Sequence, residues 1–145
     1  MKILFILCLL LTTIGVNAQT YQIRKDTIVA SGKAYAIVTK RKNANEYFVR
    51  NLLGRELIAI YPARSGKASG YVVSFMHEHK DAFLQTSVVL PKDFITMLLK
   101  YDLIGNGMEI KAASAENFVK DHPVPKDFVD TRALNEYGYN LLYLK

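Results

Sequence analysis

The chain has 145 residues, 50% of them apolar and 22% charged, with a formal net charge of +6, one cysteine and no tryptophan. That length fits one domain and falls short of two ordinary ones. So large an apolar share excludes wholesale disorder, because the chain can bury enough surface to offset the entropy of ordering it.

The N-terminus reads as a secretory signal peptide. Lys2 precedes an unbroken apolar run over 3–11, and Val16-Asn17-Ala18 forms a small-residue cleavage signature that places the cut after Ala18. The run is shorter than the ~20 residues of a spanning helix. Nothing downstream replaces it, so no transmembrane segment is expected in the mature chain. Cys8 sits inside the run instead of at its end, which argues against a lipid anchor. Its removal leaves residues 19–145 as a single cysteine-free domain, without disulfide, thiolate nucleophile or thiolate metal ligand. Export to a periplasm or to the exterior is expected.

Charge is unevenly spread along that domain. Residues 19–75 hold ten basic and three acidic side chains, whereas residues 76–145 hold eight and ten. The first half is the basic one.

Short β-rich runs dominate as far as Pro91. Segments 21–24 and 27–30 are the first two. Ser31-Gly32-Lys33 turns the chain into 34–41, Asn43-Ala44-Asn45 turns it again, and 47–52 follows. Leu53-Gly54-Arg55 reads as a tight reversal into 56–61, where Pro62 is expected to end the ladder because it cannot donate. Both parities of 56–61 are apolar, as in a strand covered on two sides. Residues 63–70, with two glycines and two serines, read as an exposed loop. Residues 71–79 and 82–90 then form a hairpin around Lys80-Asp81. After Pro91 the period changes to that of a helix, with Phe94, Met97, Leu98 and Tyr101 in one stripe. A helix is expected over 92–104, stopped by Gly105. A second helix over 112–121, with Ser114 as a cap within it, is bounded by Pro123 and Pro125, and residues 135–144 read as a last strand.

Connections this short imply antiparallel neighbours. The expected fold is α+β: a meander of about six strands over 21–90 packed against one main amphipathic helix and a shorter one. A small closed β-barrel with the helix at its mouth is the alternative.

Chemistry is sparse. His77 and His79 alternate on what reads as a strand, a spacing that suits two ligands of one metal, but no third ligand lies nearby and His122 would have to arrive through folding. Ending a strand beside solvent is the plainer account of the pair. Lys40, Arg41, Lys42, Arg50, Arg55, Arg64 and Lys67 are the candidate residues for an anionic ligand or surface, with a solvated sheet edge as the competing explanation. Nine tyrosines, Tyr137, Tyr139 and Tyr143 among them, suit sugar stacking, and equally the rim of half-buried strands. No serine elbow is present, strand parity sends Ser74 and His77 to opposite faces, and the carboxylate pairs occur where chance would put them. Gly105-Asn106-Gly107 follows a helix instead of opening one, so it is a turn and no phosphate loop.

The sequence therefore favours a non-catalytic exported module that uses a basic sheet face on an anionic envelope component, a glycan or another exported protein. No cofactor is implied, and nucleic acid is a poor partner because no binding motif is present. A small metal-dependent or hydrolytic enzyme with its site near His77 and His79 is the alternative, and an envelope structural or assembly protein without a small ligand fits the same facts.

Overall fold

The computed structural model describes residues 21–41, 45–65, 68–85 and 91–129. Seven strands follow one another: β1 (Tyr21–Arg24), β2 (Thr27–Ala30), β3 (Lys33–Lys40), β4 (Tyr47–Arg50), β5 (Glu56–Ser65), β6 (Ala68–Phe75) and β7 (Lys80–Gln85). Each is antiparallel to the one before, so sheet order is chain order. Helix α1 (Lys92–Lys100), a small hairpin of β8 (Ile104–Gly105) and β9 (Glu109–Ile110), helix α2 (Ala112–Asp121) and a short β10 (Phe128–Val129) follow.

The fold is thus the expected α+β meander with one strand more. It is not a barrel: β1 and β7 stand at the two margins of an open sheet. The two-sided apolar character of β5 comes from layering instead of closure. On one face, Ile58 and Ile60 join Val73, Phe75, Ile28 and Val49 beneath Phe94, Leu98 and Phe118 of the helices. On the other, Tyr61, Ala63, Val72 and Phe83 are covered by Val124 and Phe128.

The helices are fixed by aromatic residues. Phe118 of α2 meets Phe75, Phe94 and Tyr101 edge-on, at centroid distances of 5.8, 6.5 and 5.0 Å, a geometry that suits the ring quadrupoles. The Tyr21 hydroxyl donates to the Lys92 carbonyl and that of Tyr35 to the Leu98 carbonyl, which ties both ends of α1 to the early strands. Beyond α2 the chain rounds the margin of the sheet, where the Phe83 N–H donates to the His122 carbonyl at 2.9 Å. It reaches β5 on the other side, and Phe128 and Val129 pair with Ser65 and Arg64.

Several boundaries differ from expectation: β4 ends at Arg50 instead of at 52, Lys80 and Asp81 belong to β7 instead of forming its turn, and four further differences have local reasons. Strand β5 runs through Pro62 to Ser65; β4 ends its pairing at Tyr47 opposite Ile60, so Pro62 lies where that side of β5 is already an edge and a missing donor is tolerated. The expected loop over 63–70 is consequently the end of a long hairpin, with Arg64 opposite Ser69 and Ala63 opposite Gly70. Strand β6 stops at Phe75, because Met76–His79 make the turn and His79 adopts φ +51°. Helix α1 stops at Lys100, before Gly105: Asp102 takes φ +50°, its N–H bonds the Leu99 carbonyl and the Leu103 N–H bonds that of Leu98, a Schellman stop built on aspartate. Helix α2 has the expected span, but Lys111 occupies its N-cap position and Ser114 caps nothing. The expected strand over 135–144 and the stretch 86–90 lie outside the described residues.

Candidate functional site

In a meander, alternate connections fall at the same end of the sheet. The β1–β2, β3–β4 and β5–β6 connections share one end; the β2–β3, β4–β5 and β6–β7 connections share the other. This alternation sorts the basic residues.

At the first end, Lys40 and Arg41 close β3, and Arg24 and Lys25 make the neighbouring turn. The Val38 N–H donates to the Asp26 carbonyl at 2.8 Å, which holds that turn against β3. Arg64 lies farther out on the same end, four positions past the level of Tyr47 and Ile60, or about 13 Å at ~3.3 Å per residue. All five side chains are exposed. Arg41 pairs with Glu46 at 3.0 Å and Lys40 lies over the Tyr47 ring, 5.7 Å from its centroid. Both are surface contacts of small net worth and leave the cations open to a stronger anion. Asp26 and Glu46 are the acidic residues on these turns, and exposed Lys126 and Asp127 beside β10 offset each other. The net balance at this end is positive.

Arg50 and Arg55 go to the opposite end. Arg50 pairs with Glu56 at 2.7 Å across the β4–β5 turn. Arg55 is exposed, with Nη2 3.4 Å from Nδ1 of His77. Arg24 stands in the same register row as Arg50 and Glu56, through Thr27 and Ile37, so distance along the strands does not separate Arg24 from Arg50. Arg50 is set apart by its ion pair with Glu56, and Arg55 lies beyond that row, about 30 Å from Arg64 along β5 at ~3.3 Å per residue. Exposed apolar side chains stand at the same end: Leu52, Leu53, Met76 and Met108, with Leu53 at 78%. Lys42 and Lys67 lie outside the described residues. The structure therefore brings Lys40 and Arg41 together, with Arg64 beyond them. It adds Arg24 and Lys25, which flank the β1–β2 turn beside β3, about three strand positions or ~10 Å short of Lys40. Their signal was topological, since the first and third turns of a meander are neighbours.

The histidine pair loses the geometry that motivated it. His77 and His79 sit in the β6–β7 turn, not on one face of a strand, and both are exposed. His122 ends α2, its ring 4.7 Å from that of Phe118 and 6.1 Å from that of Tyr101. Burial there lowers its pKa below the usual imidazole value, against the opposing pull of Asp121. Tyr101 donates to Asp121 at 2.8 Å, and desolvation, helped by that carboxylate, raises its pKa. Among the described residues no group of three or more His, Cys, Asp or Glu side chains is arranged to hold a metal ion. No described helix is long and apolar enough to cross a membrane.

One buried polar side chain organises the opposite end. Asn51 is 3% exposed; its Oδ1 accepts from the N–H groups of Leu53 and Arg55, and its Nδ2 donates to the Met108 carbonyl at 2.9 Å. The β8–β9 hairpin turns through Asn106 and Gly107 at φ +50° and +70°, closed by the Met108 N–H on the Gly105 carbonyl, a turn type that favours Asn-Gly. Gly107 is required twice over, because a Cβ there would also lie 2.9 Å from Leu52 Cδ1.

No protein-family model matches the chain, and neither a curated protein nor a solved structure does.

Proposed function

We propose that the protein is a non-catalytic binding module, exported by its N-terminal leader, that uses the cationic end of its sheet to engage phosphate or carboxylate groups displayed on an envelope surface. The supporting observation is that Arg24, Lys25, Lys40, Arg41 and Arg64, all exposed, lie at or beside the connections at one end of the meander, staggered over about 25 Å at ~3.3 Å per residue. Several cations on neighbouring turns raise the local potential over a surface wider than any single ion pair. Such a patch steers and holds a polyanion without needing a pocket.

Lipid headgroups and acidic glycans present the same chemistry and are separated by experiment. The protein is sedimented with phosphatidylglycerol vesicles and, in a parallel arm, titrated with polygalacturonate, each at low and high NaCl. Binding in either arm is expected, weakening by about tenfold or more as the screening length falls from ~10 Å at 0.1 M to ~3 Å at 1 M salt. Binding to neither, or binding indifferent to salt, overturns the reading. Comparison of the two arms identifies the source.

A further inference from the structure

Beyond the cationic end, the β2–β3 turn, the end of α1 and the β8–β9 hairpin surround a solvent-open cleft of about 450 Å³, within the size range of small-molecule sites. Exposed Ala34, half-buried Tyr35 and the edge of Leu99 supply its apolar part, with Ile104 buried behind them. Lys33 and Lys111 supply cations against one carboxylate, that of Asp102. Asp102 is already engaged in an ion pair with Lys111. Lys33 enters no ion pair among the described residues and is exposed. The cleft thus combines apolar surface with one uncompensated positive charge.

Its walls are set by the backbone. Among the described residues, three of the five non-glycine residues with positive φ line it: Ser31 at 49°, Asp102 at 50° and Asn106 at 50°. Such conformations persist where the surroundings over-determine them. At Asp102 and Asn106 the Schellman bonds of α1, the bond closing the β8–β9 turn and the Lys111 N–H on the Leu103 carbonyl at 2.8 Å do so. The Tyr35 hydroxyl links this frame to β3, accepting from the Ile104 N–H at 3.1 Å while donating to Leu98. A cleft held open by hydrogen bonds that a ligand need not break loses little entropy when it is filled.

We infer that this cleft binds a small monocarboxylate with a short apolar chain, the chain resting on Ala34, Tyr35 and Leu99 and the carboxylate meeting Lys33. A cation would be repelled by Lys33, and a second carboxylate would face Asp102. Octanoate is the probe, with octanamide as its uncharged counterpart, followed by amide chemical shifts of the labelled full-length protein.

Octanoate at millimolar concentration is expected to shift amides confined to residues 30–35 and 99–111. Octanamide, and octanoate on the Lys33→Gln variant, are expected to bind about fivefold more weakly, the scale of one partly exposed ion pair. The Lys40→Gln variant, altered at the distant cationic end, is expected to bind octanoate like the parent, so the outcome is independent of the reading proposed for that end. Lys33 is exposed beside a turn, and the spectrum itself reports whether the variant is folded. Absent shifts, shifts scattered over the surface, equal binding of octanamide, or an affinity unchanged by Lys33→Gln each overturns the inference.

Discussion

Removing the Asn51 side chain tests how the end opposite the cationic turns is held together. In the Asn51→Ala variant two N–H groups, of Leu53 and Arg55, and one carbonyl, of Met108, lose their partner at a site that is 3% exposed. An intramolecular hydrogen bond contributes about 1 kcal/mol net, and more when the group left behind stays buried. The turn can admit water to Leu53, which is 78% exposed, but less readily into the space left by the Asn51 side chain, which is 3% exposed. A loss of about 2–3 kcal/mol follows, or a fall in Tm on the order of 10 °C for a domain of this size. Urea unfolding measures the loss, and amide exchange locates it: the Arg55 and Leu52 amides should exchange faster, since the latter donates to the Gly107 carbonyl across the same junction. A loss below about 0.5 kcal/mol, the range of ordinary surface substitutions, with exchange at Arg55 unchanged, would refute this reasoning.

Three further outcomes are expected. Gly70→Ala places a Cβ 2.2 Å from the Leu84 carbonyl oxygen and 2.6 Å from the Phe83 ring, so it should cost about 2 kcal/mol or more in a thermal melt; parental stability would mean that β6 and β7 are farther apart than described. Leu98→Asp, at a fully buried position on α1, should cost about 3 kcal/mol or more, and a parental melting curve would show that the α1 stripe faces water. The lowered pKa of His122 means that the folded state takes up its proton less readily than the unfolded chain. Its contribution is therefore complete above the unfolded value of about 6.5 and is lost as pH falls through that value toward the folded one. His122→Gln should flatten that part of the stability-versus-pH curve, and a slope unchanged by the substitution would contradict it.

Much of the architecture was legible because it rests on local periodicity. Alternation set the strands from Tyr21 to Arg50 to within two residues, and the stripe of Phe94 and Leu98 located α1. The misplaced boundaries are those decided by tertiary context. Pro62 reads as a stop only if β4 is assumed to accompany β5 to its end, and it does not. Asp102 and His79 adopt a left-handed conformation that scanning assigns to glycine, so α1 ends early and the β6–β7 turn falls on the histidines. The candidate site was half visible. Composition revealed a basic half, whereas the parity of the turns brings Arg24 and Lys25 to the end that holds Lys40 and Arg41, and the ion pair with Glu56, not distance from Arg24, sets Arg50 apart. The cleft beside Lys33 left no mark in the sequence, since its lining comes from two stretches, 30–35 and 99–111, that lie far apart along the chain.

Moving charge loss from one end of the sheet to the other tests the central claim most directly. Binding of phosphatidylglycerol vesicles and of polygalacturonate is compared at one low salt concentration for the parent, for Arg24→Gln/Lys25→Gln/Lys40→Gln/Arg41→Gln, and for Arg50→Gln/Arg55→Gln. At about 1 kcal/mol per basic residue near an anionic surface, the fourfold variant should lose ~1000-fold in affinity for whichever probe the parent binds. The twofold variant should bind like the parent. Equal losses per charge in the two variants, or a larger loss from Arg50 and Arg55, would contradict the account.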